Sequence, residues 1–111
     1  MNQADLFKEI IATYRRHGWR LERVLVRREI SAEVKAQIQA SGERPRVGEA
    51  PVDAMWFART SPCGREAWEL RLVAETPYAL LETFEADEAE EAREEVRREM
   101  EARLRSHVAP G

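Results

Sequence analysis

One cysteine, two histidines and two lysines are all that this 111-residue chain holds of those residue types. Cys63 alone can form no intrachain disulfide, which suits a reducing compartment, so a cytoplasmic location is the expectation. His17, His107 and Cys63 make no zinc set, since no Cys-x-x-Cys, His-Glu-x-x-His or paired-histidine spacing occurs. Gly-x-Ser-x-Gly, P-loop and Gly-x-Gly-x-x-Gly motifs are absent too, which leaves nucleophilic hydrolysis and nucleotide binding without support. The expectation is therefore no cofactor and no metal. No window approaches the roughly 18 apolar residues of a membrane helix. Residues 1–11 have neither a basic n-region nor a long apolar run, so neither a signal peptide nor a membrane span is expected. No internal repeat is visible.

The charge that is present is dense and uneven. Charged residues make up 35% of the chain and the net charge is −3, which argues against a nucleic-acid coat or a membrane-surface protein. Residues 1–71 carry a net +3 and residues 72–111 a net −6. The outcome is a mildly basic body with an acidic C-terminal third. Arginine outnumbers lysine 16 to 2, and its planar fork suits bidentate contacts with carboxylate or phosphate. The length fits one domain, taken as residues 1–106 with a frayed tail at 107–111, and such a chain can bury a core unaided.

The richest stretch is 51–74, PVDAMWFARTSPCGREAWELRLVA. Large apolar residues from Asp53 to Arg59 are followed by the turn cluster Ser61-Pro62-Cys63-Gly64. Trp68, Leu70 and Leu72 then recur at every second residue. That is a strand-turn-strand pattern. A four-residue loop would pair Thr60 with Arg65, Phe57 with Trp68 and Met55 with Leu70, which makes one core face. The second face would then show Trp56 among alanines, with Glu69 and Arg71 nearby. Because strand side chains alternate, a loop of different length exchanges the faces.

Around this hairpin the chain reads in order. Leu6, Phe7, Ile10, Ile11 and Tyr14 form one stripe of a helix over 3–17, capped by Asn2 and ended by Gly18. Residues 19–27 read as a strand. A short helix follows from Ser31 to Ala40, stopped by Gly42. The prolines and glycine of 43–51 predict a loop. Residues 78–84 alternate as a fourth strand, although Thr76-Pro77 also resembles a helix start. Asp87 and Glu90 suggest a capping box for a last helix. Its narrow apolar stripe is Ala89, Ala92, Val96, Met100 and Leu104.

Three constellations bear on function. Asp53 followed by Glu69-Leu70-Arg71 resembles the restriction-endonuclease-like nucleases. That resemblance implies Asp53 and Glu69 as ligands of a divalent metal, with Arg71 in the place of the family's lysine and Glu9 as a further carboxylate. Arginine stays charged and cannot take over a lysine's proton transfer, and the four-residue loop would put the two carboxylates on opposite faces. Next, Arg15, Arg16, Arg20, Arg23, Arg27, Arg28, Arg44 and Arg46 with Trp19 and Tyr14 could track phosphates. Local ion pairs with Glu22 and Glu29 would neutralise part of that patch. Last, Trp56 marks either a partner surface or ground covered by the 31–40 helix.

The fold expected from all this is α+β. It has a four-stranded, mostly antiparallel sheet with the N- and C-terminal helices packed on one face, in the order αβ(α)βββα. An open sheet face would then invite association. The functional expectation is a non-catalytic interaction domain that forms a homodimer or binds a protein partner, with Trp56, Glu69 and Arg71 as candidate binding residues. The alternatives are a divergent metal-dependent nuclease domain and a weak nucleic-acid binder, although nucleic acid is not the expected partner.

Overall fold

The computed structural model describes residues 1–109. Its elements are α1 (Gln3–Arg16), β1 (Arg20–Val26), α2 (Ala32–Ala40), β2 (Arg46–Glu49), β3 (Ala54–Thr60), β4 (Glu66–Leu72), β5 (Ala79–Phe84) and α3 (Glu90–Val108). They form an α+β structure around one mixed five-stranded sheet of order β2-β1-β3-β4-β5. Only β1 and β2 run parallel, joined by the crossover helix α2; every other pairing is antiparallel.

Local chemistry sets the first helices. Asn2 closes a capping box with Asp5 at the start of α1, and Arg15 and Arg16 sit at its cation-favouring end. Gly18 follows at φ +83, a left-handed conformation that a side chain would resist. Ser31 caps α2 by accepting from the Val34 amide at 3.1 Å. The 78–84 segment forms strand β5, because its alternation continues the ladder of β4 in register from Glu66–Phe84 to Arg71–Ala79.

Four expectations need correcting. The sheet has five strands, not four, because 46–49 forms a short parallel edge beside β1 where Pro45 and Gly48 suggested only a loop. The N- and C-terminal helices lie on opposite faces. Phe7, Ile10 and Ile11 of α1 pack with Leu21, Val24, Met55 and Phe57, whereas Met100 and Leu104 of α3 pack with Trp56, Trp68, Leu70 and Phe84. Both sides of β3 are buried from Ala54 to Ala58 as a result, and only Arg59 and Thr60 at its end are exposed. The hairpin register also differs: Thr60 pairs with Glu66, so Phe57 opposes Glu69 and Trp56 opposes Leu70. The loop runs through Arg65, whose carbonyl accepts from the Ser61 amide at 2.8 Å, with Gly64 at φ +87. Finally, α3 starts at Glu90 with Ala89 at its cap position and no side-chain cap.

The C-terminal tail read as fraying from 107 is helical through Val108, and His107 stacks on Tyr78 at 3.6 Å. Residues 110 and 111 lie outside the described residues.

A bulge tunes β1 to this double-sided packing. Leu21 pairs with Phe57 but Arg23 pairs with Trp56, so Glu22 is an inserted residue. Leu21 and Val24, three apart, therefore share the α1–α2 core, while Arg23 is delivered to the α3 side.

The helices are offset. Residues of β1 and β3 dominate the core beneath α1 and α2, and residues of β3, β4 and β5 the core beneath α3. This leaves the α1-side face of β5, and of β4 beyond the reach of Tyr14, without a helix above it.

Candidate functional site

Trp56 is completely buried. The sequence pattern puts it either on a surface or beneath the 31–40 helix, but it lies beneath α3. The register explains the difference: with one more loop residue, Trp56 joins Trp68 and Leu70 on one face. Its indole Nε1 donates to Glu101 Oε2 at 2.8 Å, and its ring meets Trp68 edge-on at 5.9 Å. Burying an indole of this kind contributes about 5 kcal/mol at the usual area coefficient.

The same interface holds two arginines among the buried residues of α3, a pair that no apolar periodicity signals. Arg97 is 1% exposed and lies 3.9 Å over the Trp68 ring. It reaches Glu90 at 2.6 Å and Glu94 at 3.1 Å. Arg93 donates to Glu66 at 2.8 Å and to the carbonyls of Glu85, Ala86 and Glu88, so it ties the β5–α3 turn to β4. Across the sheet, Arg23 clasps Glu94 with two bonds of 2.8 Å. That clasp holds the Glu94 carboxyl down at about 2, mainly through the hydrogen bond from Arg23, and raises the Arg23 guanidinium. The group is a fastener between helix and sheet, since its charged groups pair with one another.

Glu69 and Arg71 stand on the opposite face, beside α1. The Tyr14 hydroxyl donates to Glu69 Oε2, and the Tyr14 ring stacks on Phe57 at 4.0 Å. Burial first, then the bond to the Glu69 carboxylate, push the Tyr14 phenol well above the ordinary tyrosine value. Arg71 donates to the Leu72 carbonyl. The corrected register thus puts Asp53, Glu69 and Arg71 on one face, as a metal site would require. It does not bring the carboxylates together. Glu69 opposes Phe57, four residues from Asp53, which is about 13 Å along the strand.

Asp53 is also engaged. Its Oδ1 accepts from the Arg27 amide and its Oδ2 from Gln3 Nε2, both at 2.8 Å, with Arg27 Nε at 3.6 Å. Glu9 is exposed on α1. Ligands of one divalent ion sit within about 2.5 Å of it, and among the described residues no three His, Cys, Asp or Glu side chains group closely enough to hold a metal. The donor set does not fit a metal centre.

The arginine patch is divided. Arg20 pairs with Glu22, Arg27 with Asp53 and Arg23 with Glu94, while Arg15 caps the end of α2 through the Ser41 carbonyl at 2.7 Å. Cys63 is exposed in the hairpin turn, and contact with Ser61 lowers its thiol below the usual value.

The feature that sequence reading missed is Leu81. It opposes Glu69 on the uncovered part of the sheet and is 58% exposed. Around it lie Ala67, Ala79 and Thr83, in register on the same face. The signal for it was the alternation of 78–84, which sets Leu81 opposite in phase to Leu80 and Phe84.

No family model, curated protein or solved structure matches the chain.

Proposed function

We infer that this protein is a non-catalytic interaction domain that self-associates through β5. The observation that carries the reading is the free outer edge of that strand next to the uncovered face around Leu81. The Leu72 amide bonds the Tyr78 carbonyl at 2.9 Å, which fixes the alternation of the ladder. Tyr78, Leu80, Glu82 and Phe84 turn their backbone groups towards β4, so Ala79, Leu81 and Thr83 turn theirs outward. The edge carries a single charged residue, Glu82, and neither lysine nor proline within the strand. It therefore has few of the devices that keep natural edges apart.

A second copy fits this edge by symmetry. Antiparallel pairing about a two-fold axis at Leu81 sets Leu81 against its equivalent and Ala79 against Thr83. Glu82 then opposes Leu80, so no like charges face each other. Glu69 and Arg71 would border the joined leucines on each side, which gives those two candidate residues a place at the rim. The lone, unbridged cysteine is in keeping with a cytoplasmic protein.

Sedimentation equilibrium at two salt concentrations tests the reading. The expected mass is twice the 12.9 kDa of the chain, insensitive to salt. Leu81→Lys should give the single-chain mass with an unchanged circular dichroism spectrum, because Leu81 has no part in either core, and a melting temperature that no longer rises with protein concentration. A wild-type chain that stays monomeric at 100 μM would overturn it.

A further inference from the structure

The other edge of the sheet has a different character. Between α2 and β2 lies an open cleft of about 570 Å³, within the size of small-ligand and peptide sites. Its apolar wall is formed by Ile30, Ile38 and Val47, of which Val47 is 48% exposed at the very edge. Lys35 and Arg44 also line it. Both are exposed, and among the described residues neither takes part in an ion pair. Glu43, the one carboxylate in the lining, is already bound to the Leu21 amide at 2.8 Å.

The backbone of β2 faces this cleft with bonds to give. The Ala50 amide donates to the Val26 carbonyl at 3.0 Å, so in a parallel ladder Gly48 and Ala50 bond inward to β1. Val47 and Glu49 then present their N–H and C=O groups outward. An edge strand beside a helix, with an apolar cleft between them, is the arrangement that accepts an added peptide strand.

We propose that the α2–β2 cleft binds an extended peptide of a partner protein. The peptide pairs with the outer edge of β2, sets one aliphatic side chain on Ile30, Ile38 and Val47, and places a carboxylate between Lys35 and Arg44. The unpaired cations choose an acidic segment over a basic one. They also disfavour a second copy of this chain, which would bring its own Lys35 and Arg44 to the same place. The site is separate from β5 and does not depend on self-association there.

The test uses the full chain and two labelled octapeptides, Val-Ser-Asp-Ser repeated and Val-Ser-Lys-Ser repeated, which set the aliphatic and the charged side chains on one face. In fluorescence anisotropy the acidic peptide should bind at micromolar concentration and the basic one at least tenfold more weakly. Amide shifts on titration should centre on Val47 and Glu49. The doubly exposed variant Lys35→Glu/Arg44→Glu should reverse the preference between the peptides. Three results would overturn the proposal: no binding of either peptide at 1 mM, amide shifts centred on β5, or an unchanged preference in the double variant. The self-association reading survives all three, since it is read from the mass of the chain alone.

Discussion

Replacing Arg97 with methionine should leave the protein as stable as before, although Arg97 is among the most buried and most connected side chains. Its favourable interactions are modest. Stacking on Trp68 at 3.9 Å in a dry setting contributes about 2 kcal/mol. The bonds to Glu90 and Glu94 add about 1 kcal/mol, because the Glu90 side chain is 69% exposed. Against this stands the cost of holding a guanidinium out of water, several kcal/mol. Arg97 Nε adds to that cost, since it has no hydrogen-bond partner among the described residues. Methionine fills similar space and strands no charge: Glu90 returns to solvent and Glu94 keeps its clasp on Arg23. The two sides cancel to within about 1 kcal/mol. Arg97→Ala, by contrast, leaves a void under Trp68 and should cost about 3 kcal/mol. Thermal unfolding followed by tryptophan fluorescence reads both variants, since Trp56 and Trp68 are packed in this interface. A chain of this size melts about 4 °C lower for each kcal/mol lost, so the alanine variant should fall by about 12 °C and the methionine variant by 4 °C at most. If methionine proved as harmful as alanine, the desolvation argument would be refuted, and the guanidinium would have to be a net source of stability.

Further outcomes follow from the same geometry. Glu94 titrates at about 2 in the folded chain against ~4.3 when unfolded, so its clasp stabilises fully above the unfolded value and is lost as pH falls from about 5 towards 2. With a third of the side chain exposed, screening leaves about 1 kcal/mol, and acid unfolding curves of wild type and Arg23→Met should converge below pH 2. At the alkaline end, absorbance at 295 nm should show Tyr14 still protonated well above pH 10. Its contribution is present below the unfolded value and lost only as pH rises through the folded one. Glu69→Gln should lower that ionisation only in part, because burial is the larger cause. Among the glycines, Gly64→Ala should destabilise by about 2 kcal/mol, since it combines φ +87 with a Cβ 3.1 Å from that of Ala86. Gly42→Ala, at φ +78 with nothing within 4 Å, should cost about 1 kcal/mol in thermal melts.

Much of the local structure was legible in the chain. The stripe Phe7–Ile10–Ile11, the caps Asn2 and Ser31 and the stops Gly18 and Gly42 each depend on neighbours within one helical turn, and each stands where the pattern put it. The alternation of Trp68 and Leu70, and that of 78–84, likewise mark strands because a pleated chain turns every second side chain to the same face. The candidate residues were less legible. Glu69 and Arg71 could be named, but which face they shared, and with what, hung on one residue of loop length.

What the sequence by itself determined is therefore the helices α1, α2 and α3, the strands β1, β3, β4 and β5, and the ends of α1 and α2, since those are written in spacings of two to four residues. Tertiary structure alone decided the rest. It added Arg65 to the hairpin loop, which turned Trp56 inward and brought Asp53 and Glu69 to one face, yet about 13 Å apart. It recruited Arg46–Glu49 as a parallel edge, for which four residues carry no periodic signal. And it set α3 on the far side of the sheet from α1, where Arg93 and Arg97 are buried because the carboxylates and aromatic rings that neutralise and cover them come from β4, β5 and the α3 helix itself. A charged side chain is read as solvent-facing until its partners are known, and only the folded chain brings those partners together.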